Sequence, residues 1–366
     1  MIVDGHGHIF ENWAGSNGHE SETVHLKYLQ KSMLRPSARV LRARDGARVD
    51  MSQFFPLGDN TWQSLRGDVE FRPGSYGRAE FTIDGEEYWI QYLPVNMKDL
   101  EAPPELMIAH MKLAGVDHMV LQASLSYGIV TDINASAQAR YPEKFSGLFQ
   151  VDEGMADAPR WMREVERAHR DLQLRGLYYQ MDNFGRYGFA SAFDDPRFDD
   201  FWELEGSFST PVFFQLSSLP NGGADGYTAN AGKLDALVAR YPEKRWVLVM
   251  GAPVEHFGGT GRWNVPEEVD RIYRRENVSL ELMYPILWGG VWEYPFPEAQ
   301  ALIRDLRDRY GAEKLMWGSD MPNVERFCTY TQAVDYVRRH CAFLSASEKE
   351  QILGRNIAEL LQIKAI

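Results

Sequence analysis

The chain has 366 residues, 44 % of them hydrophobic and 25 % charged, the balance of a globular protein large enough for two ordinary domains or one large barrel. A formal net charge of −13 argues against nucleic acid or an anionic membrane as partner, while leaving room for a small anionic substrate met by local arginines. No apolar run approaches the ~18 residues of a membrane span, the N-terminus enters a strand without a signal segment, and two cysteines, Cys328 and Cys341, fit a reducing cytoplasm.

Ile2 and Val3 read as a short buried strand followed by Asp4, His6 and His8 at alternate positions. An extended chain repeats every two residues, so both imidazoles point the same way and can share a divalent metal if other strands add ligands. Alone, the pair also fits a polar strand end with two solvated histidines. Residues 11 to about 100 read as irregular, basic over Arg35 to Arg48, with strand-like runs at 79–83 and 87–92 joined by Asp84-Gly85, a hairpin signal. This stretch is expected to be an insertion capping something. Its Trp62, Tyr76, Tyr88, Trp89 and Tyr92 line either a pocket or the hairpin's own core.

From Pro103 the pattern becomes regular. Helices near 104–114, 133–141, 158–171, 197–208, 231–241, 266–277 and 298–310 precede apolar strands at 118–122, 145–150, 176–180, 211–215, 245–250, 278–283 and 314–318, and two helices close the chain. Eight apolar strands alternating with helices predict a (β/α)8 barrel, the TIM type, with one β-hairpin-containing insertion after the first strand and no second domain. The alternative, a doubly wound sheet, usually carries a glycine-rich phosphate turn that His6-Gly-His8 is not.

A barrel places its site at the C-terminal strand ends. There the first strand offers His6 and His8, the fifth Gln215, the sixth Met250, and the eighth Asp320. The first and eighth strands are neighbours in a closed barrel, so His6, His8 and Asp320 are expected to converge, although Asp320 alone is also a common turn or cap residue. Glu255 and His256 lie in the loop after the sixth strand, with His256 a candidate acid or base. Tyr127, Tyr178, Arg186, Trp288 and Arg326 follow the second, fourth, seventh and eighth strands and join Trp89 as candidate substrate contacts. Either arginine suits a carboxylate.

Asp4-Gly-His-Gly-His8 and Trp317-Gly-Ser-Asp-Met-Pro322 resemble the amidohydrolase superfamily, specifically its amidohydrolase-2 (ACMSD-like) branch. Pro104-Glu-Leu, Ala114-Gly-Val-Asp117, Asp195-Pro-Arg-Phe, Phe201-Trp-Glu and Gly354-Arg-Asn356 are similar to landmarks of that branch. The likeness covers residues 1–10 and about 100–362. It implies a metal held by both histidines of His-x-His, a histidine ending the fifth strand, and the aspartate after the eighth, with a sixth-strand histidine as acid or base. Here Gln215 and Met250 stand in those two histidine positions. The expected cofactor is one divalent ion, zinc first and manganese if the Gln215 oxygen ligates.

The expected activity is hydrolysis of a small carboxylated aromatic or cyclic molecule by a metal-activated water, with Asp320 as base. Non-oxidative decarboxylation by a lyase and a metal-free hydrolase of the same fold are the alternatives, and a non-catalytic barrel fits the three retained ligands least. The partner is a small molecule; a homodimer is an assembly the sequence allows.

Overall fold

The computed structural model describes residues 1–34, 38–53, 61–62, 65, 67, 69–258 and 262–364. Eight short parallel strands follow one another: β1 (Val3–Gly7), then, beyond five insertion strands, β7 (His118–Leu121), β8 (Phe145–Gly147), β9 (Leu177–Gln180), β10 (Val212–Gln215), β11 (Trp246–Leu248), β12 (Val278–Leu282) and β13 (Leu315–Trp317). β1-β7-β8 form one hydrogen-bonded run and β9 to β13 another. A parallel bridge from Phe149 to Leu177 joins the runs at one seam, and one from Gly7 to Met321 joins them at the other. The strands thus form the expected (β/α)8 barrel.

The strands are buried on both faces, because helices cover them outside and side chains fill the barrel within; His118-Met-Val-Leu121 has no exposed position. Packing, and not alternation, therefore selects their β-branched and aromatic residues. The helices between them begin and end where local chemistry dictates. In the helix Pro104–Ala114, proline sits in the first turn, and Gly115 ends the helix at φ 73°, where its N–H bonds the Met111 carbonyl.

The seam between β13 and β1 is held by one carboxylate. Asp4 Oδ1 accepts from the backbone N–H groups of His6 and Ser319, at 3.0 and 2.9 Å, and Oδ2 accepts from the Ser319 hydroxyl and from Tyr330 Oη at 2.6 Å. The His8 N–H donates to the Met321 carbonyl and the Asp320 N–H to the His6 carbonyl, each at 2.7 Å. These bonds fix the backbone from which the candidate ligands project.

The stretch after β1 is more regular than its sequence suggests. It contains a helix, Glu22–Met33, started by the Ser21 side chain accepting from the Val24 N–H. It also forms an antiparallel sheet of β2 (Val40–Arg42), β3 (Arg48–Val49), β4 (Arg72–Pro73), β5 (Arg78–Ile83) and β6 (Glu86–Gln91), ordered β3-β2-β6-β5-β4. The hairpin turns at Asp84-Gly85 as expected, but the helix is a correction. Its Glu, Leu, Lys, Gln and Met residues favour helix, but the buried face mixes Tyr28, Leu29 and Met33 with His25, Gln30 and Lys31, so no clean apolar stripe announces it. Phe81 stacks on Tyr88 with centroids 5.5 Å apart, so that part of the aromatic content is sheet core.

The insertion touches loops that leave C-terminal strand ends. Tyr28 Oη donates to Asp152 beyond β8 at 3.0 Å, the Trp62 N–H to the Arg186 carbonyl beyond β9 at 2.9 Å, and Arg326 beyond β13 lies 5.6 Å from the Tyr92 ring centre. Among the described residues no helix is long and apolar enough to cross a membrane.

Candidate metal centre and active site

His6, His8 and Asp320 are all buried and converge. One ligand atom from each lies within 4.8 Å of the others. His6 Nε2 is 3.2 Å from His8 Nε2, and His8 Nε2 is 3.0 Å from Asp320 Oδ1. Two nitrogens at ~2.0–2.1 Å from one tetrahedral ion stand roughly 3.3 Å apart, so this spacing fits a shared cation. Asp320 reaches it from a left-handed backbone, φ 65°, a conformation aspartate tolerates better than most residues. Met250 beyond β11 is also left-handed, φ 62°, where a long side chain is unusual.

The next layer orients the ligands. His6 Nδ1 lies 3.0 Å from Glu281 Oε2; a proton shared there leaves Nε2 as the free lone pair. Glu281, on β12, is 1 % exposed and its Oε1 has no partner, which marks it as more than a packing residue. Sequence reasoning missed it. The available signal was an acid in the middle of the apolar strand Val278-Ser-Leu-Glu-Leu282. Asn323 donates to Asp320 Oδ1 at 3.0 Å and to Tyr127 Oη at 2.6 Å, and the Tyr127 ring lies 4.8 Å from that of His8. No described contact engages Asp320 Oδ2.

Charge and burial oppose each other here. Burial resists a charged His6, but the negative charges of Glu281, Asp320 and Asp4 hold its pKa above the ordinary value. Burial prevails at His8 and lowers it. Burial alone would raise Asp320, yet hydrogen bonding from His8 and the nearby histidines hold it below the usual carboxylate range. The donor set of two imidazoles and one carboxylate, with His6 Nε2, His8 Nε2 and Asp320 Oδ1 turned toward one another, suits a divalent ion with an open coordination position.

Around this centre the other candidates are distributed unevenly. Tyr178 meets His6 edge-on at 6.3 Å and donates to Gln215 Oε1 at 2.6 Å, while Gln215 Nε2 points at Met250 Sδ, 3.7 Å away. Arg186 is 6 % exposed, its carbon Cζ lies 4.4 Å from the Tyr28 ring centre, and its Nε and Nη1 have no hydrogen-bond partner. Trp288 is half-buried and stacks on Trp292 at 5.2 Å. Trp89 and Arg326 line a cavity of about 500 Å³ between the insertion sheet and the loop after β13. His256 sits in a short helix, Val254–Phe257, with its ring 6.1 Å from Tyr227 and 6.0 Å from Phe257; no described contact links it to His6, His8 or Asp320.

A second buried acid stands beyond β8. Glu153 accepts from Gln150 Nε2 and the Gln180 N–H, both at 2.7 Å, and from Asn183 Nδ2 at 2.5 Å. It thereby ties the turn Met181–Tyr187, which carries Arg186, to the end of β8. Burial pushes its carboxyl up to about 7 against the pull of those donors.

The amidohydrolase family model matches residues 3–363. The chain belongs to that family. Its fold is similar to that of a 5-carboxyvanillate decarboxylase from Sphingomonas paucimobilis, with 21 % identity, TM-score 0.50, and coverage of 72 % of this chain and 84 % of that one. A probable 2-pyrone-4,6-dicarboxylic acid hydrolase from Acinetobacter baumannii aligns at 18 % identity and TM-score 0.53, over 72 % and 90 % of the two chains. A dihydroxybenzoic acid decarboxylase from Polaromonas sp. JS666, with bound manganese and 2-nitroresorcinol, aligns at 16 % and 0.51, over 73 % and 88 %. No curated protein matches the sequence. As a member of this family the chain is an enzyme.

Proposed function

We propose that this amidohydrolase is a metal-dependent hydrolase of a small carboxylated aromatic or cyclic molecule. The observation that carries the reading is the buried convergence of His6, His8 and Asp320, with Glu281 behind His6. His6, His8 and Asp320 would hold a divalent ion, which would polarise a carbonyl and lower the pKa of water. Asp320 then takes the water's proton at Oδ2, the oxygen left open by His8 and Asn323. Tyr127 and Tyr178 wall the site beside the two histidines. Arg186 brings two unpaired N–H groups to a substrate carboxylate. Trp288, Trp89 and Arg326 complete the outer wall, and the insertion, touching loops beyond β8, β9 and β13, serves as the cap of the mouth.

Gln215 already accepts the Tyr178 hydroxyl, which favours contact with the ion through water, and zinc over manganese as the occupant. His256 takes the acid's part in this reading only by moving its short helix. The two unpaired thiols, Cys328 and Cys341, agree with a reducing cytoplasm.

Decarboxylation is the second reading, supported by the two decarboxylases of aromatic acids that share the fold. There Asp320, after taking a proton from the bound acid or from water, would deliver it to the ring carbon, and the electron pair of the carbon–carboxylate bond would pass back to the ring as carbon dioxide leaves. One experiment separates the readings: metal analysis of protein purified without chelator, then turnover of aromatic acids and cyclic esters with Zn²⁺ or Mn²⁺. Hydrolysis yields one new acid group per turnover and no gas, decarboxylation yields carbon dioxide. A protein fully active without metal overturns both.

A further inference from the structure

The cavity of about 500 Å³ beneath the insertion sheet has a composition at odds with the rest of the molecule. The chain carries 52 acidic and 39 basic residues, yet this cavity is lined by Arg39, Arg48 and Arg326 and by no Asp or Glu. Its apolar walls include Trp89, Tyr92 and Phe327. Other arginines of the insertion are ion-paired, Arg42 with Asp45, Arg44 with Glu86, Arg72 with Glu80. Among the described residues the three cavity arginines form no ion pair. Arg326 donates only to the Asn323 carbonyl, at 3.2 Å, and lies 5.6 and 5.1 Å from the Tyr92 and Phe327 ring centres.

Like charges brought together without counter-charges repel one another and raise the free energy of the unliganded chain, and an anion relieves that cost. Guanidinium groups match the plane of a carboxylate, and aromatic walls match a flat ring. The volume is that of a small-molecule site. We propose that this cavity, formed by the insertion together with Arg326 and Phe327 beyond β13, binds a planar aromatic carboxylate and does so without the metal-type ligands, so that Trp89 and Arg326 of the outer wall contact the carboxylate from here. Contact does lead from it to the centre: Tyr92 lies 5.7 Å from Trp13, Trp13 6.4 Å from Tyr127, and Tyr127 4.8 Å from His8. Its role in selecting a substrate rests on the function proposed above; the site itself does not.

The test uses the full chain after treatment with chelator, so that nothing at His6, His8 and Asp320 contributes. Calorimetric titrations compare benzoate, which is flat and charged, with acetate, charged only, and benzyl alcohol, flat only. Benzoate is expected to bind at least tenfold more tightly than either, with affinity falling as salt rises. The double substitution Arg39→Gln/Arg48→Gln, at two exposed side chains, is expected to weaken benzoate tenfold or more, and Trp89→Leu to weaken it while leaving acetate unchanged. Equal affinities for the three probes, an unchanged double variant, or benzoate binding that appears only after metal is restored would each overturn the proposal. Loss of the metal-centre reading by metal analysis leaves these outcomes untouched.

Discussion

Glu281 is the residue whose loss separates orientation from ligation. It touches His6 Nδ1 and contributes no ligand atom to the cluster. Glu281→Gln keeps the shape but removes the charge that favours a proton on Nδ1, and metal affinity is expected to fall about 10- to 100-fold while the fold persists. Competition with a chelator of known affinity measures it; unchanged affinity would assign Glu281 to packing. Gly318→Ala should act in the same direction, because an added Cβ would stand 2.9 Å from both Glu281 Oε1 and His6 Cβ and force the pair apart. Gln215→His restores the imidazole of the family pattern and should tighten the metal if Tyr178 releases that position. His6, His8 and Asp320 were legible in the sequence because barrel closure forces the first and last strands together. Glu281 was not, since one acid in a strand does not reveal which histidine, two strands along the wall, it meets.

Strands were easier to read than their boundaries or the insertion. The expected 145–150 and 245–250 shorten to Phe145–Gly147 and Trp246–Leu248, beyond which inter-strand bonding continues only as single links, among them the Phe149–Leu177 bridge and the Val249 N–H to the Phe214 carbonyl. The helix Glu22–Met33 was missed despite its Ser21 cap, because polar His25, Gln30 and Lys31 share the buried face and blur the apolar period. Element scale is also where Glu153 acts, joining β8 to the turn that bears Arg186. Its carboxyl, raised from 4.5 to about 7, binds a proton more tightly in the folded chain than in the unfolded one. That contribution to stability is fully present below pH 4.5 and is lost as pH rises through about 7. The full difference is on the order of 3 kcal/mol. Glu153→Gln should abolish it: urea midpoints of variant and wild type should diverge between pH 5 and pH 8, the variant gaining at the alkaline end. Parallel curves would show that the three donors already stabilise the charged form.

At the scale of the molecule, the candidate ligands lie on the two strands that close the barrel. β1 and β13 are joined near the mouth by the Asp4 clamp and a few backbone bonds, with no long ladder. An ion held by His6, His8 and Asp320 would add a cross-link at this seam, and unfolding would have to release it. Binding confined to the folded state stabilises by RT ln(1 + [L]/Kd), about 4 kcal/mol at a thousandfold excess over Kd. For a chain of this size that corresponds to a rise in Tm of several degrees. Zn²⁺ or Mn²⁺ should therefore raise Tm in a concentration-dependent way. His8→Ala should remove both the shift and the activity, because a carboxylate and one imidazole are too few strong ligands. The shift should also fade below about pH 6, where imidazoles take up protons in place of metal. Calorimetric scans of wild type and His8→Ala, with and without metal at pH 7.5 and 5.5, contain the whole test. A metal-induced shift that survives His8→Ala would place the ion elsewhere on the chain and leave the barrel seam to Asp4 alone.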